Sequence, residues 1–429
     1  MEKALNKLTV CLLPIFILGI TFTKIPFIVV LAFLLIRLMA TDRDTCGIFL
    51  LMFGGAIGGY VRQKYPFMPV YGLLFQFYGL FLLRNYFLSK WHEKQGFKYL
   101  LVLMIYFLLN FALSPNTRDV YAQNKIFGMI QTAVFMYVGY YALIRSHRFN
   151  NESFGQLLFL SSILFFVYNM ELLGIRPSGL FDYTWFRFST EGLKMDDPMM
   201  EKVINYHIVG MNSLFALSFI ISKLDIKKPV LFYYLVIAAQ LVLFSGARQA
   251  IFGLLLIFAI RYYFKSVNGN WGVRKGKFKY LISAVVLLYL SVSLLELLDL
   301  DYINNTFSEG DEGRSLLSDL AIALFLKYPI FGSGIGGFQH NVFMMYPHNF
   351  FLEVLCECGI VGLLLLSCVV FSFIRKYKIH HFYLTRSHTF FFIVLAALMV
   401  RCMVSADLSY SIQLFSAIFA CAKDDRVLY

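Results

Sequence analysis

Apolar runs long enough to cross a bilayer recur from one end of this chain to the other, and that recurrence leaves few folds open to it. A spanning helix needs about 20 consecutive, mostly apolar residues. Such segments fall near residues 8–23, 25–41, 46–61, 68–88, 98–114, 126–145, 154–174, 204–222, 229–245, 248–264, 280–298, 348–374, 388–404 and 408–422. The first two are short, so about 12 to 14 crossings are expected. Charge is scarce to match: 15% of the residues are charged, where a soluble domain carries about 25%. Hydrocarbon cannot satisfy a free N–H or C=O, so each crossing is expected to be helical and any broken backbone to line a cavity. The expected fold class is an all-α polytopic membrane protein.

The charges that remain are asymmetric. Lys and Arg number 38 against 25 Asp and Glu, an excess of 13. Basic residues gather in four connections: Arg84 to Lys98, Lys223 to Lys228, Arg261 to Lys279, and Arg375 to Arg386. Counting helices puts all four on one side, with Lys3 and Lys7, and the positive-inside bias makes that side cytoplasmic. Both termini are then inside, and Arg62 with Lys64 is the exception. A basic excess of this kind belongs to loops, so no nucleic-acid partner is expected. The opening MEKALNK run lacks a small-residue cleavage site and reads as an uncleaved first helix. Seven cysteines, all in or beside apolar segments, suggest neither a disulfide framework nor a zinc site.

Two outer connections stand out by length, about 174–203 and 299–347. Loops of more than about 12 to 15 residues in a compact protein are usually functional or disordered. These hold Trp185, Phe186, Phe188, Phe325, Phe331, Phe338 and Tyr346, which is too aromatic for disorder. Within the second, SLLSDLAIALFLKY has helical apolar spacing and should lie along the membrane surface. The chain therefore divides into helices over 1–150 that act as scaffold, a core over 151–375 with both long loops, and C-terminal helices over 376–429.

The polar groups concentrate between Gly313 and Leu366. Pro347 disfavours helix at its predecessor and suits the first turn of a new one, which places His348 and Asn349 at the outer mouth of a helix. An imidazole there can take a proton from a sugar hydroxyl near neutral pH; a helix cap or headgroup anchor is the plainer alternative. Glu353 and Glu357 follow on the same helical face as Asn349. A carboxylate inside an apolar helix should face the protein interior or a wet cavity. Glu357 could orient His348 or bind sugar hydroxyls, or it could form an internal helix–helix bond. Three arginines are expected at the outer face: Arg248 between two apolar segments, Arg314 after an acidic cluster, and Arg187 among aromatics, with Arg176 as its substitute. Singly each could snorkel to a lipid phosphate. With a histidine they suit a lipid diphosphate, because guanidinium forks bind phosphate oxygens in pairs. GSGIGG, Gly332 to Gly337, follows no strand; it reads as a tight turn lining a carbohydrate site rather than as a dinucleotide motif. No paired-aspartate motif or P-loop is present, and no metal or cofactor is expected.

HNFFLEVLCECGIVG, His348 to Gly362, resembles the His-Asn, Leu, Glu, Gly, Gly pattern near the end of O-antigen polymerases and O-antigen ligases. LFLKYPIFGSGIGGF is similar to that family's approach to the motif, and FSGARQAIFGLLL resembles its Ser-Arg-Gly-Ala helix start, with Gly246-Ala247 intervening before Arg248. The resemblance covers roughly residues 170–375; the first 150 resemble the family only in being helical. It implies a metal-independent, inverting glycosyltransferase acting on undecaprenyl-diphosphate-linked glycans at the periplasmic face of the bacterial inner membrane. Arg187, Arg248 and Arg314 would then hold the diphosphate, His348 would activate the acceptor hydroxyl, and Glu357 or Asn349 would orient it. Partners would be the lipid-linked oligosaccharide as donor and acceptor, the bilayer, and a chain-length regulator. Ligases often carry a further histidine or a small residue before His-Asn, whereas Tyr346-Pro347 stands here, which favours a polymerase over a ligase. A lipid-linked sugar transporter is the alternative from another class. Transporters often show two related halves and place charges near the midplane, and no such repeat is present.

Overall fold

A computed structural model describes residues 27–64, 71–88, 95–146, 148–173, 210–216, 315–342, 346–377, 389–404 and 407–421, with 253 and 256. Among them every regular element is helical and no strand occurs. Four helices are long and apolar enough to cross a membrane: Arg43–Arg62, Gln95–Leu113, Val120–Arg145 and Phe350–Lys376. The chain is an all-α polytopic membrane protein.

It divides into two compact units, Met1–Arg84 with Arg145–Asn270, and Asn85–Ile144 with Trp271–Tyr429. The first contains α1 (Phe27–Met39), α2 (Arg43–Lys64), α3 (Tyr71–Leu82) and α7 (Asn151–Leu173), and its first stretch ends at the opening residue of α4 (Arg84–Leu88). Glycines let α2 and α3 touch backbone to backbone: a Cβ on Gly72 would meet the carbonyl of Gly55 at 2.9 Å, and one on Gly79 that of Gly47 at 2.9 Å. Small residues do this in membranes, where packing replaces the hydrophobic drive. The fully buried Arg37 of α1 reaches α7, where Gln156 Oε1 accepts from Nε at 2.8 Å and Ser153 Oγ from Nη2 at 2.9 Å.

The second unit contains α5 (Gln95–Leu113), α6 (Val120–Arg145), α9 (Gly337–Val342), α10 (Phe350–Tyr377), α11 (Thr389–Val404) and α12 (Leu408–Ala420), with a further helix, α8, over 315–327. The turn from α5 to α6 is built by its own polar residues. Ser114 caps a 3-10 turn at Pro115–Arg118, with Pro at a first position whose N–H has no helical partner. Asp119 Oδ1 then accepts from Tyr121 N–H at 2.8 Å, starting α6. α5 runs antiparallel to α10: Tyr99 packs on Phe373 near one end and Tyr106 bonds the Cys358 carbonyl toward the other. α12 lies against α6, Gln413 donating to the Tyr140 hydroxyl at 3.0 Å and Ser416 to the Ala133 carbonyl at 3.2 Å.

α8 lies in the span expected to hold a surface helix. Ala321 and Leu324 are buried with Phe338 and Cys356, while Leu316, Ile322 and Leu326 stay exposed. One apolar face thus packs on α9 and α10 and a second faces outward, as suits a helix at a lipid surface.

Candidate functional site

α10 is broken by design at Gly359, where φ is 66° and ψ is −169°, a region open in practice to glycine alone. The break orphans the amides of Ile360 and Val361 and the carbonyls of Cys356 and Glu357, and buried backbone groups need partners. The turn at 328–336 supplies them all. Pro329 and Ile330 carbonyls accept from Ile360 and Val361 N–H at 2.9 and 3.2 Å, while Ser333 and Gly334 N–H donate to the Cys356 and Glu357 carbonyls, both at 2.9 Å. Ser333 Oγ adds a bond to Cys356 O at 2.9 Å, and the Tyr106 hydroxyl takes Cys358 O at 3.0 Å. Gly332, with φ of 75°, sits so close to Glu357 that a Cβ would overlap its backbone.

Two asparagines fix this turn from outside α10. Asn110 Nδ2 donates to Phe331 O and its Oδ1 accepts from Ile335 N–H, each at 3.1 Å. The buried Asn116 donates to Ser333 O at 2.9 Å. The GSGIGG turn therefore spends the amides of Ser333, Gly334 and Ile335 on protein partners.

His348 and Asn349 stand at the mouth of α10. Pro347 lies outside that helix rather than in its first turn, because Asn349 is the cap: its Oδ1 accepts from Phe351 and Leu352 N–H at 2.9 and 3.2 Å. His348 is held at φ of 56°, a conformation that non-glycine residues adopt mainly where surrounding structure enforces it. Its ring lies 4.3 Å from that of Tyr346. Nearby, His340 Nδ1 faces Asp119 Oδ2 at 3.7 Å across the exposed surface.

Inward from the mouth, Glu353 and Glu357 share one face and are both fully buried. Lys125 of α6 meets them both: Nζ donates to Glu357 Oε1 and Oε2 at 2.8 and 2.7 Å, and to Glu353 Oε1 at short range. Glu357 thus makes an internal helix–helix contact, and it is ionic. Lys125 was absent from the candidates. Its signal was a lone cation within the apolar part of a 26-residue helix, which in hydrocarbon demands a partner. Lys125, Tyr106, Asn110 and Asn116 all fall in residues 1–150, yet all of them contact the motif region.

His348, Asn349, Glu353 and Glu357 are thus brought to one end of one helix. Arg187, Arg248 and Arg314 lie outside the described residues, as does Arg176. No curated protein matches this chain. Residues 233–367, which take in the glycine turn, His348 and both glutamates, match the model of a family described as O-antigen ligase, and this supports a place in the O-antigen ligase/polymerase superfamily without separating the two activities.

Proposed function

We propose that the protein is a surface-polysaccharide polymerase of the O-antigen type. It would transfer a glycan chain from undecaprenyl diphosphate to a lipid-linked repeat unit, at the periplasmic face of the bacterial inner membrane. What carries this is one coincidence: the family match spans the same residues that the fold gathers around the His348 mouth of α10. That mouth is at the opposite end of the second unit from Lys98, Arg375 and Lys376, and basic ends face the cytoplasm.

In this reaction His348 takes the acceptor hydroxyl proton as the hydroxyl oxygen attacks the anomeric carbon. The leaving diphosphate gathers charge, and fixed cations stabilise it best where water is excluded. Arg187, Arg248 and Arg314 are assigned that work. Asn349 and the ion-paired Glu357 hold the helix mouth in place. The lipid diphosphate stores the activation, so no metal or cofactor enters, and a chain-length regulator is the expected protein partner.

The second reading is a ligase that transfers the glycan to lipid A-core, and the family match is common to both; Tyr346-Pro347 before His348 favours polymerisation. Purified protein given only a lipid-linked repeat should build a ladder of longer glycans. Consumption only when lipid A-core is added marks a ligase, and no new bond with either acceptor overturns both readings in favour of transport. His348→Ala should lower the rate by about 100-fold to 10,000-fold, the usual contribution of a general base.

A further inference from the structure

Lys125, Glu353 and Glu357 are all enclosed, and they are unequal in number: one ammonium meets two carboxyl groups. A packing pair inside a membrane has no use for a second carboxyl group, whose charge would be costly there; ionisable groups in that setting are kept mainly where a substrate, ion or proton passes. Among the described residues the surroundings do not restore the balance. Lys125 Nζ also lies 5.9 Å from the Tyr121 ring. Cys356 and Cys358 flank Glu357 on α10, and Asp407, the cap of α12, acts electrostatically on Lys125 and Glu353. Arg401 of α11 stacks over Tyr410 at 5.0 Å. Among the described residues that makes two cationic groups against three carboxyl groups.

The oxygens are unequally used. Lys125 occupies both oxygens of Glu357 but only Oε1 of Glu353. Oε2 of Glu353 is enclosed and, among the described residues, accepts no hydrogen bond. Glu353 N–H donates to Asn349 O at 3.0 Å, so Glu353 lies one helical turn, about 6 Å, inside the cap. His348 immediately precedes that cap and has Nδ1 enclosed by protein.

Resting on the transferase reading, we infer that this buried cluster receives the proton released in the transfer step, with Glu353 Oε2 as its destination and Lys125 as the residue that positions it. The acceptor O–H bond breaks and its proton goes to His348. The hydroxyl oxygen bonds to the anomeric carbon as the carbon–oxygen bond to phosphate breaks, its electron pair leaving on the diphosphate. His348 then passes the proton to Glu353 and returns to its neutral form, and the proton escapes to solvent with the product.

The test compares variants in the ladder assay. Glu353→Gln keeps the size and the Lys125 contact but cannot take a proton; kcat should fall about 100-fold, with the acceptor KM changed by less than about twofold. Glu353→Asp keeps an ionisable oxygen and should retain at least about a tenth of kcat. The triple variant K125M/E353Q/E357Q removes every charge of the cluster, so it avoids stranding one in hydrocarbon, and it should match wild type in thermal unfolding while staying as slow as Glu353→Gln. A folded triple variant with wild-type kcat, or Gln recovering as much activity as Asp, overturns the inference. A wild-type chain that forms no glycosidic bond with either acceptor fails the transferase reading itself.

Discussion

Asn349 shows how one residue can carry two incompatible assignments. Its side chain accepts from the amides of Phe351 and Leu352, which is the work of a helix cap, yet it also adjoins the imidazole proposed to act on substrate. The two roles separate by substitution. Asn349→Asp keeps a capping oxygen, so its thermal stability in detergent should stay near wild type. Asn349→Ala should lose about 1 kcal/mol, as cap removal usually does. If both variants polymerise at the wild-type rate, Asn349 is a cap and nothing more. Lys125 illustrates the limit of reading single residues. Its charge stood out in an apolar helix, but its partners lie 228 and 232 positions away, and nothing local to NKIFG names them. Glu353 and Glu357 were legible because four-residue spacing fixes a shared face from sequence alone.

At the scale of elements, the kink of α10 and the glycine turn form one hydrogen-bonded unit. Each supplies the groups the other lacks: two carbonyls from the turn, two from the broken helix. GSGIGG announced a tight turn, and it is one. That its amides serve the backbone of α10 was not readable, because a helix break at Gly359 leaves no trace in an apolar run that continues through it. Gly359→Ala tests the unit directly. It would force a side chain into a left-handed backbone and into contact with the Ile330 carbonyl. Strain of about 1 to 3 kcal/mol and overpacking of about 1 to 3 kcal/mol should combine to a loss of about 2 to 6 kcal/mol. Unfolding in detergent would read that loss. A change below about 1 kcal/mol would mean that α10 straightens and the turn detaches.

At the scale of the whole second unit, α5 running against α6 and α10 sorts the polar residues by end. Lys98 opens α5 beside Tyr99, which packs on Phe373, close to Arg375 and Lys376. The cluster of Lys125, the glycine turn and the His348 mouth occupy the other end. Apolar periodicity made this alternation legible, since a helix crossing the bilayer must reverse at each connection and basic residues mark every second one. The units' boundaries were not legible in the same way, because each is assembled from two separate stretches of chain. Orientation is therefore the property on which a lipid-linked substrate at the outer face depends most. His340 has a side chain 59% exposed at the proposed outer end, and Lys376 is exposed at the other. A membrane-impermeant maleimide applied to intact cells should label His340→Cys above the background of the parent chain's own thiols. Lys376→Cys should react only after the membrane is opened. The reverse pattern would put His348 on the cytoplasmic side, where the basic loops of a membrane protein belong, and would remove the periplasmic site together with the polymerase and ligase readings built on it.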